Sequence, residues 1–478
     1  MPKANRSKKA DLDPTRRDKP RLFLPGPSRA ERMAQGVALR ATCPRNAHGT
    51  WTKPVKRPDP LDLLEQSNKG RLPELIPLRH ARMLASPFAF FRGTALNMAV
   101  DLAQTPTSGI RVQACGDAHL GNFRCFATPE RRLIFDIHDL DETLPAPWEW
   151  DLKRLATSFV LASRVAGLSE KRASDAAQTC VRTYREKMAE FVEMRAIEVW
   201  YTRFDADHLV EEIRDEEVRA RKEKRLAKAR SICVVEDDFP KLANLSGSKP
   251  MLRENLPTVY HELERNSKEF YKIIGQAFER YRESLADDRR VLLDRYHVAD
   301  LAMRVVGVGS VGTYCCLALL LAEEKDPLFL QVKEARPSVL EPFAGKSAYA
   351  NRGERVVQGH RLMQSASDIF LGWTKGISGR HFYIRQLRDM KIKFEVERFD
   401  AAEMAQFAVW CGGTLARAHA RSGDAALISG YLGKSEKFDQ AIGAFATAYA
   451  DQCEQDFEAM KKAQAEGKVE TREEGGKS

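Results

Sequence analysis

The chain has 478 residues, 43% hydrophobic, 30% charged and 8% aromatic, with 22 Pro and 29 Gly, a make-up that excludes a wholly disordered, collagen-like or many-pass membrane protein. The net charge of +10 is local: residues 1–60 hold 15 Lys and Arg against five Asp and Glu, so the body is close to neutral and a nucleic-acid-binding reading has little to rest on. The nine cysteines contain no Cys-x-x-Cys and one adjacent pair, Cys315-Cys316, which supports neither a zinc site nor a disulfide framework and suits a reducing cytoplasm.

Residues 1–60 are Pro-rich and lack apolar periodicity, and read as a basic, partly disordered leader able to touch an anionic partner. Residues 1–21 hold no apolar core of a signal peptide. Short helices are expected at Asp62–Gln66, Leu75–Met83 and Asn97–Leu102, with an aromatic loop over Ala85–Gly93 between the last two. Val112–Cys115 reads as a strand, and Asn122–Phe126 with Leu133–Ile137 as a hairpin. Long helices follow at Asp151–Ala166 and Glu170–Glu193, where Leu152, Leu155, Phe159 and Ala162 recur at helical spacing. Glu211–Arg230 carries both charge signs and reads as an exposed helix, and Val259–Ala286 is helical again. Strand-like runs then take over at Met303–Val308, Tyr314–Ala322, Leu328–Val332, Ile369–Thr374 and Phe382–Leu387. Val305–Ala322 has 18 uncharged residues, the lower edge of membrane-helix length, but its three glycines make it a turn between buried segments. Ala401–Ala420 and Phe438–Glu466 close the chain as helices before a tail over 468–478. The expected organisation is a leader (1–60), a helical large part (61–300), a strand-rich part (301–395) and closing helices (396–467).

Chemistry concentrates first in Cys115-Gly-Asp-Ala-His-Leu-Gly-Asn-Phe123. An Asp five residues before an Asn, in a glycine-containing loop after a strand, suits phosphoryl transfer: Asp117 accepts a hydroxyl proton while the Asn122 side-chain oxygen reaches Mg²⁺. His119, in the same loop, is a second catalytic candidate or a structural histidine. A further carboxylate must hold the metal against the phosphates, and Asp136, Asp139 and Asp141 at the end of the next strand are the supply. The second constellation is Val306-Gly-Val-Gly-Ser-Val-Gly-Thr313, followed by Gln331-Val-Lys-Glu334. Gly307, Gly309 and Gly312 with Ser310 and Thr313 would form a turn whose N–H groups approach nucleotide phosphates. Lys333 would pair with the α/β-phosphates and Glu354 with Lys333, and the adenine hinge would lie near Gln386–Arg388. The same glycines also spell the Gly-x-Gly-x-x-Gly dinucleotide fingerprint, which requires a helix from Gly312. Arg92 is a candidate phosphate contact, because a planar guanidinium suits bidentate binding, or a structural arginine beside Phe88, Phe90 and Phe91.

Gly116-Asp-x-His-x-x-Asn122, His138-Asp-Leu-Asp141 and Asp151-Leu together resemble the aminoglycoside-phosphotransferase branch of the protein-kinase-like superfamily. That resemblance implies Asp117 as base, Asn122 and chiefly Asp139 on Mg²⁺, and Asp151 as a brace of the catalytic loop. Cys115 stands where the family usually has His, and Asp136 fits the apolar lead-in nearly as well as Asp139. The set Ser86–Gly93, Gly116–Phe123, Pro147–Leu155, Gly307–Thr313 and Gln331–Ala335 resembles the uncharacterised bacterial domain-of-unknown-function 2252 family over about residues 60–465. Because the catalytic loop precedes the glycine turn, the implied fold is α+β: a bilobal, circularly permuted kinase-like domain with a small antiparallel lobe and a mainly helical large lobe. Leu415–Arg421 resembles the helix that normally precedes the catalytic loop. The expected activity is Mg-ATP-dependent phosphotransfer to an unidentified acceptor. Alternatives are a nucleotide-binding pseudokinase, an adenylyl transferase on the same site and, more remotely, a dinucleotide-binding protein.

Overall fold

The computed structural model describes residues 26–473, apart from 214–215, 232–238, 245–249, 262–267, 324–325, 377 and 388–389. Trp148–Val165 is buried on every side from Trp148 to Ser163, its charged residues Glu149, Asp151, Lys153 and Arg154 included. It packs against the helices Glu170–Glu193 and Lys437–Ala465, and Glu170–Glu193 in turn packs on Ala401–Ser422. Trp148 stacks between Tyr184 at 5.7 Å and Phe438 at 5.2 Å. Ser169 caps the second helix, and Asp400 with Glu403 forms a capping box on Ala401–Ser422, so both begin where their side chains satisfy free N–H groups.

Two short antiparallel ribbons lie on this helical body. One pairs β1 (Arg111–Ala114), and the other pairs β2 (Phe123–Ala127) with β3 (Leu133–Ile137); β4 (Leu144–Pro147) is the partner of β1. After β5 (Ala243–Asn244) and β6 (Met251–Leu252), a six-stranded sheet is built from β7 (Val259–Tyr260), β8 (His297–Arg304), β9 (Cys315–Leu321), β10 (Pro327–Ala335), β11 (Gly372–Lys375) and β12 (His381–Gln386). Its order is β11-β12-β10-β9-β8-β7, antiparallel at every pairing. With 54% helix and 14% strand, the strands grouped into antiparallel sheets, the protein is α+β. No helix among the described residues is long and apolar enough to cross a membrane, and Val305–Ala322 holds the glycine turn and β9.

Several expectations need correction. The leader is structured in its described part: Ser28 caps the helix Arg29–Ala38, which packs on Ala425–Leu432. The crossing is so close that a Cβ on Gly36 would sit 2.1 Å from the Leu427 carbonyl oxygen, and one on Gly430 2.2 Å from that of Met33. Two glycines therefore stand in for apolar periodicity there. The aromatic loop is the helix Pro87–Gly93, begun by Ser86 and by Pro in its first turn. The charged helix is two, Ala206–Glu211 and Glu216–Ser231. It is also partly packed: Lys222 pairs with Glu403 at 2.8 Å and lies over the Phe399 ring at 4.8 Å. The small sheet starts earlier than residue 301 and has six strands rather than five. Thr313 leads into a strand antiparallel to β8, so the strand-to-helix turn needed by a dinucleotide fingerprint is not what these glycines form. Cys233, Arg388 of the expected hinge and the first 25 residues lie outside the described residues.

Candidate functional site

Asp117 follows β1 in a loop pinned by its neighbours. The Cys115 and Gly116 N–H groups donate to the two Asp151 oxygens at 2.6 and 3.0 Å. Asp151 also lies 3.1 Å from His419 Nε2, and His419 Nδ1 meets the Tyr184 hydroxyl at 2.9 Å. Gly116 has φ +79°, and a Cβ there would lie 2.4 Å from the Glu142 carbonyl oxygen, so the turn accepts glycine alone. Asp117 accepts from Arg154 Nε at 2.6 Å, while Arg154 also donates to the Phe91 carbonyl and lies over the Phe91 ring at 4.2 Å. Burial pushes the Asp117 carboxyl above its ordinary range, with Arg154 opposing. His119 Nε2 is 3.9 Å from Asp117. Burial, then Arg92 and Arg154, hold its ring well below the usual histidine range, so it is neutral, and its Nδ1 is buried without a partner. Asn122 Nδ2 donates to the Asp117 carbonyl at 2.9 Å, which leaves its side-chain oxygen as the acceptor a cation would use.

Asp139 and Asp141 follow β3, and Lys333 reaches both from β10, at 3.2 and 2.8 Å. The ammonium is 4% exposed, whereas the two carboxylates keep 30% and 29% exposure, so oxygen remains open to the cleft. Burial opposes the charge on Lys333, yet Asp139 and then Asp141 hold its pKa well above the ordinary lysine value. Burial also works against ionised Asp139, but Lys333 and then Arg385 hold it well below the usual aspartate range. Burial and the Asp139 charge instead push Asp141 up. Tyr383 donates to Asp141 at 2.5 Å.

The glycine turn closes over the same space. Gly307 and Gly312 have φ +64° and +82°. Arg82 donates to the Gly307 carbonyl at 2.6 Å, Arg71 to that of Val311 at 2.5 Å, and the Leu72 N–H to that of Gly312 at 2.7 Å. Thr313 N–H and Oγ1 both donate to the Ser310 carbonyl. A cleft of about 370 Å³ is lined by Asp117, His119, Asn122, Asp139 and Asp141 from one side and by Gly307, Gly309, Ser310 and Thr313 from the other. Arg71, Arg92, Arg124 and Arg336 also line it. Arg92 Nε is buried without a partner, and burial pulls its pKa down against Glu397, Asp117 and Asp139.

Two candidates fall elsewhere. Asp136 is fully buried, bonded by Arg417 at 2.5 Å and by the Ser365 N–H and hydroxyl at 2.9 Å; it is an interior ion pair outside the cleft. Glu354 lies on the outer face of the helix Arg352–Met363, beside Arg361, and is not the partner of Lys333. That helix presses Gly353 onto the sheet, where a Cβ would lie 2.1 Å from the Phe382 carbonyl oxygen, and rotates Glu354 away. Its contribution is Arg355, which donates to the Asp141 and Arg336 carbonyls at 2.8 and 2.9 Å. Sequence reasoning missed Arg154, Arg355 and Arg124; only Arg154 left a signal, three residues after Asp151 on the same helix.

Among the described residues no group of three or more His, Cys, Asp or Glu side chains is arranged to hold a metal. A Mg²⁺ that keeps waters and phosphate oxygens needs only one or two carboxylates. Asp139 and Asp141 with the Asn122 oxygen fit that demand.

Residues 71–463 match the family described as "Uncharacterized protein conserved in bacteria (DUF2252)", and the chain belongs to it. No curated protein and no solved structure matches the chain.

Proposed function

We propose that the protein is a Mg-ATP-dependent phosphotransferase with a permuted kinase-like fold. The observation that carries this reading is the single cleft in which Asp117, Asn122 and Asp139 face the Gly307–Thr313 turn, with Lys333 joining the two halves through Asp139 and Asp141. The sheet supports it: a glycine turn joins β8 to β9, the lysine lies on β10, the helices Glu341–Ala344 and Arg352–Met363 intervene, and β12 rather than β11 pairs with β10. The glycine turn, the lysine strand and the helix after it come in the order expected of a kinase-like nucleotide clamp, here after the Asp117 loop in sequence. The packing of Ala401–Ser422 behind the loop, through His419 and Asp151, fits a closing helix that returns to the large lobe.

In this reading the turn and Lys333 bind the triphosphate, and Asn122, Asp139 and Asp141 would hold Mg²⁺. When bound, the metal would neutralise charge on the phosphate oxygens. Asp117 orients an acceptor hydroxyl and takes its proton as the acceptor oxygen bonds to the γ-phosphorus and the bond to the ADP oxygen breaks. Arg154 fixes the Asp117 carboxylate, and Arg92 lies where transferred charge would meet a guanidinium.

The test is ATP labelled at the γ or the α position, incubated with the full chain and a bacterial metabolite extract. Label on an acceptor from γ-labelled ATP alone, abolished by Asp117→Asn, is the expected result. Label from the α position would make the enzyme an adenylyl transferase, and nucleotide binding without label transfer from either would make it a pseudokinase.

A further inference from the structure

A second cavity, of about 300 Å³, lies behind the strand end that carries Asp139. Its floor and walls come from the tip of the β2–β3 hairpin, the end of the helix Arg352–Met363, the segment Asp368–Leu371 and the end of β12. The apolar side is made by Phe126, Leu292, Tyr296, Leu328, Ile369 and Phe370. His138 and His360 line the other side, 8% and 2% exposed, and the Nε2 of each is buried without a partner. A buried polar nitrogen left without a partner is unfavourable, and the two Nε2 atoms are such nitrogens. Burial and then Arg385 depress the pKa of both imidazoles, that of His360 to about 3.

The charge of the wall is positive. Arg131, Arg385 and Lys391 face it against one carboxylate, Asp368, whose two oxygens already accept from the Phe370 and Gln386 N–H groups. Arg385 is 8% exposed, held by Gln331 at 3.2 Å and by the His138 carbonyl at 2.9 Å. A planar guanidinium fixed at the polar end of a mostly apolar cavity is a carboxylate-binding arrangement, and the volume is at the lower end of small-molecule pockets.

We infer that this cavity is a second ligand site, for a small carboxylate with a flat apolar body, its carboxylate directed to Arg385 and the two histidines. The inference does not rest on phosphotransfer, since no residue of the glycine turn or the Asp117 loop lines the cavity. A ligand there would sit one residue from Asp139, against the His138 carbonyl that Arg385 holds.

The test is titration of the full-length protein with phenylacetate, and with the uncharged isostere phenylacetamide, by calorimetry and ligand-observed NMR. Expected are saturable one-site binding of phenylacetate, binding of the amide weaker by roughly tenfold, about 1.4 kcal/mol, and loss of at least about tenfold with Leu292→Trp, which fills the apolar side from its rim. Arg131→Glu, on the exposed hairpin tip, should weaken phenylacetate more than phenylacetamide and serves if Leu292→Trp does not fold. Asp117→Asn should bind both unchanged. Absence of saturable binding, equal affinity for acid and amide, unchanged affinity in the folded variants, or loss with Asp117→Asn would each overturn the inference.

Discussion

In the reaction proposed above, Arg154 sets how readily Asp117 can act as a base. Burial raises the carboxyl, Arg154 lowers it, and the net position is above the ordinary aspartate value of about 4. Asp117 accepts a proton only when ionised, so turnover should fall with decreasing pH along a limb that lies above that value. Removing the cation with Arg154→Met should move the limb to higher pH and lower kcat by roughly tenfold or more; a pH–rate profile with an unmoved limb would mean that another group titrates. Asp136 makes the opposite case. Its charge is consumed by Arg417 in the interior, so Asp136→Asn should cost about 3–5 kcal/mol of stability by stranding a buried guanidinium, read in a denaturant melt, while ATP affinity of the folded protein stays the same. That Asp117, His119 and Asn122 share one loop after a strand was legible in the sequence, because six consecutive residues after β1 carry that geometry. The difference between Asp136 and Asp139 was not, since it depends on Arg417, which is 281 positions away in the chain.

Elements were legible where periodicity and caps agree, as in Glu170–Glu193, whose bounds match the expectation at both ends. They were not legible where a backbone contact does the work of an apolar face. The helix Arg29–Ala38 docks through Gly36 on the Leu427 carbonyl and through Gly430 on that of Met33, contacts that a Pro-rich basic segment does not announce, so it read as leader. Gly36→Leu should part the two helices and lower stability by about 1–3 kcal/mol, measured by thermal or urea unfolding. Glu354 was expected beside Lys333, but the contact of Gly353 with the Phe382 carbonyl turns Glu354 outward and Arg355 inward on the helix Arg352–Met363. A buried pair in Trp148–Val165 has no counterpart in the sequence reading. Lys153 Nζ has no hydrogen-bond partner and lies 4.7 Å from the Phe445 ring, its pKa brought down to about 8 by burial against the pull of Glu149. Replacing both charges in Glu149→Gln/Lys153→Met should leave stability equal to or above that of the parent at neutral pH, and calorimetric unfolding would check it.

At the scale of the whole molecule, the glycine turn is held by Arg71, Leu72 and Arg82, from the segment before the Asp117 loop. The cleft is therefore shaped by contacts between segments more than two hundred residues apart. Arg71→Ala with Arg82→Ala should free the turn and raise KM for ATP several-fold with a smaller change in kcat, because the turn acts on the bound nucleotide before the chemical step. The central claim is that the Asp117 loop and the Lys333 strand serve one nucleotide. Its most direct measurement is calorimetric titration of Mg-ATP into the parent, Asp117→Asn and Lys333→Met, each verified as folded by circular dichroism. The parent should bind Mg-ATP at a single site, Asp117→Asn within about threefold of it, and Lys333→Met weaker by at least about tenfold. A parent that binds no Mg-ATP, or a Lys333→Met protein that binds it as well as the parent, would contradict that claim.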